Sequence, residues 1–156
     1  MNTRGTDASD AGAVWLAESS RGTSAWAVWS EWSRRTYAVL PTGPGWDVIA
    51  TPRERCAAAA RRRPELWAEV PVLEDLTAGF AYVWVPAGTH TGWDVPGTTA
   101  LGHPWFVAVP RPGGPQVPER RWVQPPGLFP RLMDPAGLRA ALKAAPARGN
   151  GREDAR

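Results

Sequence analysis

The stretch "VLPTGPGWDVIATP", residues 39–52, decides the fold, because it holds two short apolar runs separated by a turn rich in glycine and proline. Runs of β-branched and aromatic residues bounded by Gly and Pro are typical of strands. The sequence therefore predicts two strands, "TYAVL" and "WDVIA", joined by "PTGPG". Asp47 lies inside the second strand, and a carboxylate in an apolar strand needs a structural or chemical reason.

A helix start follows this stretch directly. Thr51 is predicted as the N-cap, Pro52 as the first helical residue, and Glu54 as the third, which together make a capping box. The helix is predicted to run through "RERCAAAARRR" and to end before Pro64, since proline interrupts a helix.

The rest of the chain supplies two more helical regions and several strands. A helical pattern covers residues 14–35 and is broken at 19–24, and a last helix begins at Asp134 as N-cap with Pro135 after it. "GFAYVWVP" is the clearest strand, "TTALG" and "WFVAVP" are two further strands or one broken strand, and "RRWVQPP" is predicted as a short edge strand. This order predicts an α+β fold with a mixed or antiparallel sheet and helices packed mainly on one face.

Length and composition predict one domain. The 156 residues suit a single domain, predicted over 13–145, with disordered tails at 1–12 and 146–156. Cys56 is the only cysteine, so an internal disulfide is excluded and a reducing compartment is favoured. No apolar run approaches the roughly 20 residues that a membrane-spanning helix needs. We therefore predict a cytoplasmic protein without membrane contact.

The chain is weakly basic, and almost all of its basic residues are arginine. The net charge is +3, and Lys143 is the only lysine among 18 lysine and arginine residues. Together with the abundance of Ala, Gly and Pro, this indicates a GC-rich bacterial genome, so arginine is a weaker sign of nucleic-acid binding than elsewhere. The chain also has ten tryptophans, more than a domain of this size can enclose.

Five motifs in a fixed order give the chain a family resemblance. They are "VLPTGPGWDVIATP", "YVWVPAGT", "TALG...WFVAVP", "RWVQPP" and "DPAGLRAAL", and the resemblance that they carry covers roughly residues 24–143. This order resembles the N-terminal domain of bifunctional DNA primase/polymerases, the prim-pol family of the archaeo-eukaryotic primase class. The resemblance implies a sheet with helices on one face and a catalytic cleft on the other. It also implies an acidic pair, a histidine and a further acid that hold two divalent metals and a nucleotide.

The chain departs from that pattern at the acids. Only Asp47 remains, since the positions where a second acid would stand are Ile49 and Ala50, and His103 lies beside Pro104 before its strand. We therefore predict a degenerate catalytic site with Asp47 as its vestige and no metal site. No cofactor is expected, and Mg²⁺ is expected only if catalysis remains.

Each candidate site residue has two interpretations. Asp47 is either a metal ligand, completed by the remote acids Asp75 or Asp94, or a residue that binds backbone amides near a turn. His90 is either a proton shuttle or metal ligand, or a solvated loop residue. Cys56 is predicted to pack as a small apolar side chain.

The predicted nucleic-acid contacts are aromatic and basic. The stripe of Phe80, Tyr82 and Trp84 is either a platform for stacking bases or part of the hydrophobic core. The arginines that could contact phosphates, or could simply be solvated, are Arg53, Arg55, Arg61, Arg62, Arg63, Arg120 and Arg121.

Three functions remain open at this point. The first is a non-catalytic prim-pol-like domain linked to DNA replication that binds single-stranded DNA, a nucleotide or a protein partner. The second is an active metal-dependent primase/polymerase with an unusual acidic site at Asp47. The third is a protein-interaction domain that uses exposed tryptophans as anchors and has no role with nucleic acid.

Overall fold

The computed structural model describes residues 8–145, and within them the chain forms four α-helices, one short 3-10 helix and seven strands. This is the predicted α+β class. In chain order the elements are α1 (Ala8–Ser19), α2 (Ala25–Arg34), β1 (Tyr37–Pro41), β2 (Trp46–Pro52), α3 (Arg53–Arg62), the 3-10 helix (Pro64–Trp67), β3 (Val72–Asp75), β4 (Phe80–Pro86), β5 (Thr99–Leu101), β6 (Phe106–Pro110), β7 (Arg120–Gln124) and α4 (Pro135–Ala144).

The strands form two antiparallel sheets. The small sheet pairs β1 with β6, and the large sheet has the order β5-β2-β4-β3-β7. The longest ladder joins β2 to β4 over seven residues, from Trp46 opposite Pro86 to Pro52 opposite Phe80. This ladder lies in the middle of the large sheet, so its side chains decide what both faces of that sheet contact.

Both faces of the large sheet are covered. On one face α3 and α4 pack over Ile49, Val83 and Val85. On the other face the small sheet, α1 and α2 pack around Val48 and Trp84. The prediction that the helices lie mainly on one face therefore describes α3 and α4, whereas α1 and α2 lie on the opposite side. The reason is that β4 is apolar on both sides, and such a strand requires cover on both faces.

A row of three tryptophans joins the large sheet to the layer above it. The ring of Trp84 lies between Trp46 and Trp122, with centroid distances of 5.4 Å to each. Trp84 is 0% exposed, Tyr82 is half-buried and Phe80 is 36% exposed. The aromatic stripe is therefore core at Trp84 and reaches the surface at Phe80.

The start of α3 differs from the prediction. The helix begins at Arg53, Thr51 belongs to β2, and the Oγ1 atom of Thr51 is buried without a protein hydrogen bond. The capping box is therefore wrong at Thr51. The β2–β4 ladder extends to Pro52 and holds Thr51 in the strand, and the amide of Arg53 donates to the carbonyl of Gly79. A backbone acceptor thus satisfies the first helical donor.

Two other helix caps are made by side chains. Asp134 caps α4 as predicted, because its carboxylate accepts from the amide of Gly137 at 3.1 Å. Ser24 caps α2 in the same way and accepts from the amide of Ala27 at 3.1 Å. These bonds satisfy donors that the first turn of each helix leaves open.

The ends of the domain differ slightly from the predicted ones. Helix α1 begins at Ala8, inside the segment 1–12 for which the sequence predicts disorder. Residues 1–7 and the predicted tail at 146–156 lie outside the described residues. No helix within 8–145 is long and apolar enough to cross a membrane.

Arg55 has a structural role that the sequence did not indicate. It is only 6% exposed, and its Nε donates to the carbonyl of Leu142 at 3.1 Å while Nη1 donates to the carbonyl of Pro96. Burial lowers the pKa of this guanidinium. Arg55 therefore ties α3 to the last turn of α4 and is not available to a phosphate.

The tryptophan row predicts where the fold is most sensitive. Trp84→Ala should lower the free energy of unfolding by about 3–5 kcal/mol, because it leaves a cavity between the two sheets. Urea denaturation followed by circular dichroism would measure this. Trp26→Ala is the control, since Trp26 is 78% exposed and its loss should cost less than about 0.5 kcal/mol. Equal losses for the two variants would contradict the assignment of Trp84 to the core.

Candidate functional site

Asp47 holds a loop in place. It lies opposite Val85 in the β2–β4 ladder and is 0% exposed. Its Oδ2 accepts from the amides of Gly88 at 3.1 Å and His90 at 2.9 Å, and lies 2.8 Å from Nδ1 of His90. Its Oδ1 is buried without a hydrogen bond to a described residue. Of its two predicted roles, Asp47 has the one in which the carboxylate binds backbone amides, and those amides belong to the loop after β4.

His90 is the residue that this carboxylate orients. Its side chain is 41% exposed, and its ring lies so close to Gly102 that a Cβ atom at that position would overlap the imidazole. With Nδ1 bound to Asp47, Nε2 is the nitrogen left for a proton or a ligand. His90 is therefore an exposed loop residue, as one of its two interpretations had it, but its ring is also paired with Asp47.

The other predicted acids lie elsewhere. Asp75 is at the far end of β4 from Asp47, where it binds Arg120 at 3.2 Å and the amides that follow β3. Asp94 lies near Arg139 and Lys143, at 3.5 and 3.9 Å. Neither acid joins Asp47, so the rearrangement that would complete an acidic site does not occur.

The residues around Asp47 do not fit a pair of magnesium ions. Within 8–145 no three histidines, cysteines or acids come together as metal ligands would, whereas two cations need several carboxylate oxygens. Asp47 also lies on the face of Ile49 and Val85, which α3 and α4 cover. The opposite face, where the resemblance implies a catalytic cleft, is filled by the small sheet and the tryptophan row.

A second candidate site is a cleft between α3 and β7, which we call the α3–β7 cleft. It has a volume of about 160 Å³. Its walls are formed by Cys56, Ala57, Ala60, Trp67, Val72, Val123 and Gln124, with Arg53 and Glu74 at one side. The cleft combines small apolar walls with a few polar groups, as small-ligand sites usually do.

Two arginines share one carboxylate at the mouth of this cleft. Glu74 Oε2 lies 3.5 Å from Nε of Arg53, and Glu74 Oε1 lies 3.1 Å from Nη2 of Arg121. Arg61 follows Arg53 by eight residues on α3 and is exposed, which places it about 12 Å further along the helix. The structure thus brings Arg53 and Arg121 together and leaves Arg61 apart from them.

The remaining predicted contacts do not join this group. Arg62 lies on the far side of α3 from Arg53 by helical periodicity, and Arg63 forms an ion pair with Glu65. Arg120 lies on the other face, where its guanidinium covers the ring of Tyr82 at 5.5 Å. With Trp84 fully buried and Tyr82 covered, the large sheet has no free aromatic platform at these two positions.

The residues that sequence reasoning missed depend on strand pairing. Val72 pairs with Gln124 and Leu73 with Trp122, so Val123 is an extra residue and β7 has a bulge there. The bulge turns Gln124 toward the cleft. The pair of Asp47 and His90 could have been found by pairing β2 with β4, which brings the loop after β4 beside the start of β2.

Comparison with protein-family models, with curated proteins and with solved structures found no match for this chain. The prim-pol resemblance therefore depends on the sequence motifs alone. The α3–β7 cleft brings apolar walls and two arginines close together.

Removal of the Asp47 carboxylate should loosen the loop after β4. Asp47→Ala leaves two amides and an imidazole without their acceptor, and should lower the free energy of unfolding by roughly 2–4 kcal/mol. His90→Ala removes only the half-exposed ring and should cost roughly 1 kcal/mol. Denaturant titration and amide hydrogen exchange of Gly88 and His90 would test this. Unchanged exchange at both amides in Asp47→Ala would refute the loop-holding role.

Cys56 should be a slow thiol in the folded protein. Burial raises its pKa to about 12 from an ordinary 9.0, so almost no thiolate is present at pH 8. Reaction with a chromogenic disulfide at pH 8 should be at least tenfold slower in buffer than in urea, where the ordinary pKa returns. A native rate equal to the unfolded rate would show that the thiol is not enclosed.

Proposed function

We propose that this domain is a non-catalytic module that binds single-stranded DNA or nucleotides in DNA replication. The observation that supports it best is the mouth of the α3–β7 cleft, where the guanidinium groups of Arg53 and Arg121 share one carboxylate, Glu74. Two positive charges against one negative charge leave the rim positive, which attracts phosphates. Since Cys56 is the only cysteine, we place this activity in the cytoplasm.

The apolar cleft beside the rim adds a second reason. Proteins that bind single strands combine a positive groove for the backbone with surfaces that receive the bases. The α3–β7 cleft and its arginines provide both within one small area. The prim-pol motifs and the net charge of +3 agree with a polyanionic ligand.

Metal-dependent nucleotidyl transfer receives less support. The Oδ2 atom of Asp47 already accepts three hydrogen bonds from the loop after β4. The side chain is fully enclosed, and a Mg²⁺ ligand must reach both the ion and its waters. We therefore derive no catalytic step at this position.

Protein interaction is a second candidate, and one surface favours it. The outer side of the small sheet exposes Val39 and Phe106 at 47% and 59%, and Trp105, which precedes β6, is 61% exposed. Phe106 pairs with Pro41, two residues beyond Val39 in β1, so the side chains of Val39 and Phe106 are neighbours. Exposed apolar groups of this kind often mark contacts with another protein.

The arginine rim can be tested by charge removal. Fluorescence anisotropy with a labelled single-stranded oligonucleotide would be measured at low and moderate salt. Arg53→Gln combined with Arg121→Gln should weaken binding about tenfold at low salt. It should also reduce the slope of log K against log salt by about 1.4, since each phosphate contact contributes about 0.7.

The matched control removes the same charge elsewhere. Arg34→Gln combined with Arg35→Gln changes two exposed arginines at the end of α2 and should leave affinity within about twofold. Equal losses in the two double variants would show that net charge, and not the rim, is responsible. Mg²⁺-dependent nucleotide incorporation that disappears in Asp47→Ala would favour the polymerase alternative. No binding of oligonucleotide or nucleotide at low salt would favour protein interaction.

A further inference from the structure

We infer that the α3–β7 cleft receives one nucleobase that carries an amino group, while the arginines at its mouth hold the neighbouring phosphate. This inference rests on the proposed function but is narrower, because nucleic acid could also bind through the arginine rim alone. The base could belong to a strand or to a free nucleotide, and the experiment below separates these two sources.

The size of the cleft limits the ligand. Its volume is about 160 Å³, which is enough for one planar ring system. Sites for drug-sized ligands are usually about 300–1,000 Å³. The cleft therefore fits one base, and the sugar and phosphate of the same nucleotide would lie outside.

The walls suit the flat faces of a base. Ala57 and Ala60 of α3 form one side, and Val72 and the largely buried Trp67 lie across from them. Small side chains leave an open slot between helix and sheet, and a flat ring with apolar faces fits such a slot. This surface would replace the aromatic platform that the buried Trp84 and the covered Tyr82 do not offer.

The polar groups suit the edge of a base with hydrogen-bond donors. Nε2 of Gln124 donates to the carbonyls of Trp67 at 2.6 Å and Val70 at 3.0 Å. Because both of its N–H bonds are used there, the carboxamide is fixed and its Oε1 is the acceptor left for a ligand. The carboxylate of Glu74 is a second acceptor on the cleft wall. Two acceptors favour adenine, cytosine or guanine, which have an amino group, over thymine.

The charges at the mouth suit the phosphate of that same nucleotide. Arg53 and Arg121 both contact Glu74, and Glu74 lines the cleft. Only the Glu74 side chain therefore separates their guanidinium groups from the inferred base. Arg53 and Arg121 thereby offer a positive site next to an apolar slot, the arrangement that a nucleotide requires.

The test compares oligonucleotides with and without bases. Oligo-dA and an abasic oligomer of equal length carry the same phosphates, so their affinities for the wild-type chain isolate the base. We expect oligo-dA to bind about tenfold more tightly than the abasic oligomer, a difference of about 1.4 kcal/mol in binding free energy. Oligo-dT should fall between the two.

A cavity-filling variant shows whether the difference in affinity between the two oligomers arises in the α3–β7 cleft. Ala57→Phe places a ring in the slot and should remove the difference between oligo-dA and the abasic oligomer while leaving abasic affinity unchanged. Ala57 is exposed on α3, so the fold should tolerate the change. Ala144→Phe is the control, because Ala144 is an exposed alanine on α4 outside the cleft. This variant should keep the full difference.

A second measurement does not depend on a variant that fills the slot. The indole N–H signal of Trp67, assigned by its loss in Trp67→Phe, should shift in NMR spectra when dAMP or oligo-dA is added. Binding of dAMP would identify a free nucleotide as a source, and binding of oligo-dA alone would identify a strand.

The outcomes separate this inference from the proposed function. If Ala57→Phe keeps the difference between oligo-dA and the abasic oligomer, or if wild-type chain binds both equally, the base site is wrong even though the arginine rim still binds phosphates. If neither ligand binds at low salt, both the base site and the proposed function are wrong. Loss of the difference in Ala57→Phe alone supports the base site.

Discussion

The antiparallel pairing of β2 with β4 is the constraint on which the rest of the structure depends. The ladder sets Trp46 and Val48 on one face of the large sheet, and Asp47 and Ile49 on the other. The tryptophan row and the small sheet pack on the first face, and α3 and α4 pack on the second. A shift of one residue in this register would exchange the two faces, so that Trp46 would meet α3 and α4 and Asp47 would enter the tryptophan row.

Because both faces of the large sheet are covered, the places where a ligand can bind are limited. A sheet with one free face can present its strands to a ligand, but here the tryptophan row and α1 with α2 occupy that space. The only carboxylate inside β2, Asp47, holds the loop after β4 through His90 and Gly88. One ligand-sized cleft lies at the side of the large sheet, where α3 meets β7 beside Arg53 and Arg121. The cleft that we propose as a binding surface thus lies away from the face where the prim-pol resemblance implies a catalytic cleft.

Much of the fold could be predicted from the sequence, because periodicity and turn residues are local signals. The β2 and β4 strands, the break between α1 and α2, and the cap of α4 at Asp134 all follow from such signals. The capping box at Thr51 was not correct, because the strand ladder overrode a local propensity. The link between Asp47 and His90, and the turn of Gln124 into the cleft, depend on contacts between distant strands, and no local pattern encodes them.

The bulge at Val123 also affects what the large sheet can do beyond this chain. β7 is the last strand of that sheet, and an edge strand with regular unpaired amides and carbonyls can recruit strands from other molecules into fibres. An extra residue in β7 breaks the spacing that a newly added strand would have to match. The same irregularity that points Gln124 at the cleft therefore makes this sheet edge a poor template for a strand from another molecule, and we expect a substitution that straightens β7 to lower solubility.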